Sequence, residues 1–242
     1  AAPVIWSRQV AKGGIVRAVV LNSGGANACT GPQGFADTHK TAEHVGSLLQ
    51  VSAGEVIVCS TGLIGELLPM DRILKGLDSI ASVLTSDGLE TSARAIMTTD
   101  SVPKIATASA HGVEFAGIAK GAGMLAPALA TMLSVVMTDA VVSGKAQEIF
   151  ARVTDRTFNR IDSDGCTSTN DTVLFLASGA SSVTLSEGDL TQALEHVASD
   201  LAHQLIADAE GHSKIISITT VNSKSERDAV EIGRACARNN LL

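Results

Sequence analysis

Apolar positions along this chain switch between two spacings, and the switches mark out its elements. Residues 15–21 form a short apolar run broken only by Arg17, which predicts a strand. Phe35 to Gln50 reads as a helix, with Ala42, Val45, Leu48 and Leu49 at helical spacing, and Glu55 to Cys59 as a second strand. Pro69 opens the next helix at a position where proline is tolerated, with Ile73, Leu74, Leu77 and Ile80 as its buried face. A weaker helix is expected from Leu89 to Met97. Lys104–Ala110 and Val113–Ala119 flank His111-Gly112, a two-residue hairpin turn. Residues 132–137 are an unbroken apolar run of strand length, expected to be buried on both faces. Lys145 to Ile161 predicts a helix with Ile149, Val153 and Phe158 inward, and Val173–Ala177 a buried strand. Asp189 is expected to cap a long helix reaching about Ala209, with Gly211 closing it. Ile215 to Val221 alternates with Ser and Thr and predicts a strand, and a last helix runs from about Ser225 to Asn240. Strands alternating with helices, without repeat or linker, indicate an α/β protein.

The polar stretches between these elements carry the chemistry. Asn22–Gly34 is rich in Gly, Asn and Thr, and has the backbone N–H density to wrap a ligand. Ser60–Gly65 is a second hydroxyl-and-glycine loop following a strand. The third runs from Lys120 through Gly121, Gly123 and Pro127 to Ala130-Thr131, at the threshold of the 132–137 strand. Its glycines can approach a ligand closely, and Pro127 stiffens the approach to Thr131. Three readings of this stretch stand side by side. It is a plain loop entering a core strand; or a phosphate cradle, although Lys120 precedes the glycines and the G-x-x-x-x-G-K-[ST] order is absent; or a threonine that cuts its own chain and then serves as an N-terminal nucleophile.

Composition narrows the function classes. With 18 Lys plus Arg against 25 Asp plus Glu, the formal charge of −7 argues against nucleic acid and against an anionic membrane surface. There is no Tyr and a single Trp, Trp6, so platforms for base stacking are absent. No apolar run approaches the ~20 residues of a membrane span, and the opening Ala1-Ala2-Pro3-Val4 does not read as a charged-then-apolar signal segment. Cys29, Cys59, Cys166 and Cys236 stand singly, which fits a reducing cytosol. Cys59 beside the Ser60–Gly65 loop is a candidate thiol, or else a small buried hydrophobe. His196 and His203 share a helix face without a third ligand, and Asp162, Asp164 and Asp171 lack the closing glutamate of a calcium loop; both metal readings are discarded.

Six stretches, in order and spanning nearly the whole chain, resemble the ornithine acetyltransferase family, the bifunctional glutamate N-acetyltransferases of arginine biosynthesis. They are Asn22–Gly31, Cys59–Gly65, Met97–Asp100, Lys120–Leu133, Ser168–Thr172 and Asp208–Gly211. The resemblance implies a layered α/β/β/α sandwich of the self-processing, N-terminal-nucleophile-like type. It implies cleavage between Ala130 and Thr131, giving an α-chain portion, 1–130, and a β-chain portion, 131–242, that starts at the nucleophile and is C-terminally incomplete. Thr131 would carry acetyl from N2-acetylornithine to glutamate, with Thr61 and Gly62 as the oxyanion hole. Lys120, Glu210 and one or both of Thr98 and Thr99 would bind substrate beside Thr131. No metal or prosthetic group is implied, and acetyl-CoA is a further candidate donor. The expected partners are those small molecules and the sister chains of a cytoplasmic heterotetramer. Family members extend beyond this sequence at both ends, and their C-terminal tail supplies an Asn and a Ser or Thr that are absent here. Two rivals use the same residues differently: a self-processed amidohydrolase or aminopeptidase with water as acceptor, and a non-catalytic small-ligand-binding domain in which Thr131 stays internal.

Overall fold

The computed structural model describes residues 1–125, 132–142, 144–239 and 241. Its architecture is set by two sheets packed face to face with helices outside both. The smaller sheet pairs β1 (Ala18–Asn22) and β2 (Val56–Ser60) in parallel, in the register Ala18↔Val56 to Asn22↔Ser60. Parallel neighbours need a crossover, supplied by helix α2 (Gly31–Leu49). The larger sheet has the order β3-β4-β5-β6. Its strands are β3 (Lys104–Ala110), β4 (Val113–Lys120), β5 (Leu133–Thr138) and β6 (Thr172–Ala177). The first three are antiparallel, and β6 runs parallel to β5. His111 and Gly112 both take positive φ, 53° and 79°, as a tight two-residue hairpin requires.

Apolar alternation on each strand decides which face meets which layer. Val19, Leu21, Ile57 and Cys59 of the small sheet join Ile118, Leu133, Val135 and Leu174 of the large sheet in the central layer contact. The opposite side of the small sheet, through Val20, Val56 and Val58, packs on Ala42 and Val45 of α2 and Leu77 of α3 (Met70–Ala81). On the far side of the large sheet lie α5 (Ala146–Arg156) and the long α6 (Glu187–Ala207). The α6 stripe Leu190, Leu194, Val197, Leu201 and Leu205 is buried against Val113, Phe115 and Val136. Gly117 lets α6 come this close: a Cβ there would stand 2.9 Å from both Val197 and Leu201. The chain is therefore an α/β/β/α sandwich.

The small sheet keeps its β2 edge covered. Helix α1 (Ala2–Lys12) lies along it, and the Ser7 hydroxyl both donates to Val58 O (2.6 Å) and accepts from Val58 N–H (3.0 Å). Trp6 Nε1 donates to Val56 O at 2.9 Å. An uncovered edge would offer these same groups to another chain.

Several sequence expectations need correcting. Helix α1 was not anticipated, because its buried face is only Pro3, Ser7 and Val10. Ile80 is exposed, since α3 packs chiefly on α2 and buries only Leu77 fully. The helix expected to reach Ile161 breaks at Thr157 (φ −122°, ψ −91°) and continues as a 3-10 turn, Phe158–Arg160. β6 is half-buried rather than buried, as the outermost strand of its sheet. Ser186, not Asp189, caps α6: its side chain accepts from Asp189 N–H. Residues 215–221 form no strand; Ile215, Ile216, Ile218 and Val221 are exposed, and an alternating pattern cannot make a ladder without a neighbour. Helix α4 (Leu89–Ala95) and α7 (Glu226–Ala237) end two to three residues before the expected limits. No helix among the described residues is long and apolar enough to cross a membrane.

Candidate functional site

Because β1 and β2 are parallel and in register, the loops that leave Asn22 and Ser60 emerge side by side. They are laced together. Thr61 N–H donates to Asn22 O (3.0 Å), Leu63 N–H to Gly24 O (3.1 Å) and Ala26 N–H to Leu63 O (2.9 Å). Asn170 clamps both from the large sheet's side, its Nδ2 donating to Ala26 O (2.5 Å) and Ser60 O (3.0 Å). The lacing requires glycine at position 62. Gly62 has φ +128°, and a Cβ there would lie 2.3 Å from the Gly24 carbonyl carbon and 2.7 Å from Gly25 N.

These loops form one wall of a cleft of about 510 Å³, lined by Ser23, Gly62, Thr98, Thr99, Lys120 and Glu210 together with neighbouring backbone. Five sequence-predicted site residues thus meet in one place although they span positions 62 to 210. Lys120 is buried at the end of β4. Its Nζ donates to Thr98 Oγ1 (2.7 Å) and Thr61 Oγ1 (3.2 Å). Of the two threonines, Thr98 is therefore the one joined to Lys120, while Thr99 lines the cleft beside it. Burial pulls the Lys120 ammonium below the usual lysine range, and Asp100 opposes that shift. Glu210 lies just beyond α6; its N–H donates to Ala122 O (2.6 Å) and its exposed carboxylate packs over Gly123. Because α6 ends at Ala207, the helix-dipole penalty expected for Glu210 falls away.

A buried carboxylate that sequence reasoning passed over organises this wall. Asp100 Oδ1 accepts from Lys104 Nζ (2.8 Å) and Gly121 N–H (2.6 Å). Its Oδ2 accepts from Thr98 N–H (3.1 Å) and lies 3.5 Å from Lys120 Nζ. Lys104 also pairs with Asp208 at 2.6 Å, tying in the segment that carries Glu210. Burial would raise the Asp100 carboxyl, but Lys104, the two N–H donors and Lys120 together hold it below its ordinary value. Asp100 stands within the Met97–Asp100 motif; the available signal was a lone acid among hydroxyls, placed before a strand that begins with lysine.

Of the Thr61-Gly62 pair, Gly62 lines the cleft, whereas Thr61 is fully buried and is not among the lining residues. The Thr61 N–H is committed to Asn22, which leaves the Thr61 hydroxyl. That hydroxyl already accepts from the Lys120 ammonium, which polarises its O–H. The Gly62 N–H has no hydrogen-bond partner among the described residues. Cys59 is no rival nucleophile: it is buried, and burial pushes its thiol up to about 12.

Ala130 and Thr131 lie outside the described residues. The chain on either side is placed: Ala122–Met124 line the cleft, and Leu133 pairs with Lys120 across β4 and β5. Met132 is held from β6, its N–H donating to Asp171 Oδ1 (2.9 Å) and its O accepting from Thr172 N–H (3.1 Å). Asp171 was read in the sequence only as a motif member and part of a discarded calcium loop. Desolvation pushes its carboxyl up to about 8. No group of three or more His, Cys, Asp or Glu that could hold a metal occurs among the described residues.

Comparison with known proteins adds a family assignment. The family model described as "ArgJ family" matches residues 1–242. Over its full length the chain is 58% identical to the Arginine biosynthesis bifunctional protein ArgJ of Streptomyces avermitilis. It is 51% identical to the protein of the same name from Mycobacterium leprae. It spans 63% and 62% of those two relatives' lengths. A solved structure of the ornithine acetyltransferase from Mycobacterium tuberculosis, complexed with ornithine, is 48% identical. It aligns with a TM-score of 0.47 over 54% of this chain and 72% of that one.

Proposed function

The chain belongs to the ArgJ family, and from that premise we propose that it carries the reaction centre of a glutamate N-acetyltransferase. Thr131 attacks the Ala130 carbonyl, and hydrolysis of the resulting ester frees the Thr131 α-amine. This gives an α portion, 1–130, and a β portion, 131–242. The freed amine, with an ordinary pKa of about 7.7–8.0, serves as base for its own hydroxyl. Acetyl passes from N2-acetylornithine to Thr131 and then to glutamate. Each transfer goes through a tetrahedral anion held by the Thr61 hydroxyl and the Gly62 N–H. Lys120 and Thr98, with Thr99, receive the substrate carboxylate, and Glu210, which lines the same cleft, receives the ammonium. Both substrates are amino acids, so a cleft with a buried ammonium and an exposed carboxylate matches their two charged groups.

The observation that carries this reading is the convergence of Gly62, Thr98, Thr99, Lys120 and Glu210 on one cleft. Lys120 is paired there with the strand that begins two residues after Thr131. The reading needs no metal or prosthetic group, takes acetyl-CoA as an additional donor, and places the two portions in a cytoplasmic heterotetramer. The test is a product balance with N2-acetylornithine and glutamate. Ornithine and N-acetylglutamate should form in equal amounts. Acetate in place of N-acetylglutamate would mean that water is the acceptor, and that the protein is an amidohydrolase.

A further inference from the structure

Lys104 opens β3 with its side chain fully buried, although lysine is almost never buried unless it is paired. It is paired twice. Its Nζ donates to Asp100 Oδ1 (2.8 Å) and to Asp208 Oδ2 (2.6 Å). Asp100 also faces the Lys120 ammonium at 3.5 Å. Asp208 is the residue that ends α6, and Ser101 grips its carboxylate with both its N–H (3.0 Å) and its hydroxyl. Two residues later comes Glu210, whose N–H is fixed to Ala122 O at 2.6 Å. A series of ion pairs thus runs from Lys120 through Asp100 and Lys104 to Asp208, and links the two charged groups of the cleft, Lys120 and Glu210. Holding α6 in place does not call for it. One turn earlier Gln204 already staples that helix to β3, donating to Ile105 O (2.9 Å) and accepting from Ile105 N–H (3.1 Å). Buried ion pairs are often no more stabilising than apolar packing of the same volume, so stability alone does not account for two carboxylates on one buried lysine.

We infer that Lys104 and Asp208 are positioning residues that set the span between Lys120 and Glu210, and through it the length of donor the cleft accepts. The inference rests on the acetyltransferase reading above. In N2-acetylornithine the α-nitrogen is acylated, so the one cation left is the ammonium at the end of the side chain. The carboxylate received by Lys120 and the ammonium received by Glu210 are then separated by the methylenes of that side chain. A cleft whose two charged ends are braced discriminates by side-chain length, and a cleft with a loose Glu210 segment does not. A buried ion pair suits the brace because it is strong and little screened by salt.

The test compares N2-acetylornithine with N2-acetyllysine, one methylene longer, as donors of acetyl to glutamate. The wild-type protein should prefer N2-acetylornithine about tenfold or more in kcat/KM. Asp208→Asn keeps the shape of the side chain without its charge. It should shrink the preference to about twofold, with KM for N2-acetylornithine changing far more than kcat. Asp208→Glu keeps the charge on a longer arm and should shift the preference toward N2-acetyllysine. The preference is a ratio taken on one preparation, so a partly misfolded variant lowers both rates and leaves it unchanged. An Asp208→Asn protein with the wild-type preference overturns the inference, as does an Asp208→Glu protein whose preference is unchanged. A wild-type protein that moves acetyl from neither donor would instead remove the acetyltransferase reading, and this inference with it.

Discussion

Replacing Asp100 by asparagine should unsettle the whole substrate wall. Four donors converge on this buried carboxylate: Lys104 Nζ, Gly121 N–H, Thr98 N–H and Lys120 Nζ. Asparagine offers one acceptor oxygen and turns an NH₂ toward the remaining donors. Lys104 keeps Asp208 at 2.6 Å, but Lys120 loses the carboxylate that offsets its burial. Breaking a buried charged pair by removing one partner costs about 3–5 kcal/mol. For a chain of this size each kcal/mol moves the midpoint by roughly 2–4 °C, so Tm should drop by roughly 6–20 °C. The measurement is urea and thermal unfolding in a Thr131→Ala background, where one uncut chain keeps the transition interpretable. Adding Lys120→Met should give back part of the loss, because it removes the buried ammonium whose pairing with Asp100 the first substitution breaks. The pH dependence has a definite sign. Asp100 is held below its ordinary value, so its contribution is fully present above the unfolded value of about 3.9. It is lost as pH falls through the folded value, and the gap between wild type and variant should close in acid. A loss under about 1 kcal/mol at pH 7, or no recovery in the double variant, would refute the buried-hub reasoning.

Thr61→Ala should lower kcat for acetyl transfer by about 10²–10³-fold with a much smaller change in KM, because its hydroxyl meets charge only in the transition state. A wild-type kcat would remove Thr61 from the oxyanion site. Glu210→Gln should raise KM for ornithine-type substrates at least tenfold, about 1.4 kcal/mol for one charge-assisted contact, and leave chain cleavage intact. Loss of cleavage would move this residue from recognition to folding. Cys59→Ala should keep acetyl transfer within about twofold, since its buried thiol stays protonated at working pH; a loss of tenfold or more would reopen Cys59 as a participant.

The alternation of strands and helices was legible in the sequence because it rests on local signals, whereas the layering and the candidate site residues came from the resemblance to a family. Helical and alternating periodicities placed β1–β5 and the cores of α2, α3, α5 and α6 to within a few residues. Hydroxyl-and-glycine loops drew attention to 60–65 and 120–131, and the resemblance singled out Thr61, Gly62, Thr98, Thr99, Lys120 and Glu210. What stayed hidden depends on pairing across long separations. Asp100 matters because Lys104, Gly121 and, through Lys104, Asp208 come to it, and Asp171 because Met132 does. Apart from the four-residue step from Asp100 to Lys104, these partnerships have no sequence spacing. Helix α1 escaped because a serine and a tryptophan bonded to a strand edge leave no apolar period to read. Residues 215–221 misled for the opposite reason: alternation was present, but no neighbouring strand accompanies it.

The central claim is that the chain cuts itself between Ala130 and Thr131 and that the new terminus does the chemistry. Intact-mass measurement with N-terminal sequencing, taken alongside acetyl-transfer activity during maturation without added protease, tests it most directly. The second fragment should begin Thr-Met-Leu-Ser, activity should rise in step with that fragment, and Thr131→Ala should remain one inactive chain. Cleavage of Thr131→Ala at the same bond, or full acetyl transfer by the uncut chain, would contradict the account.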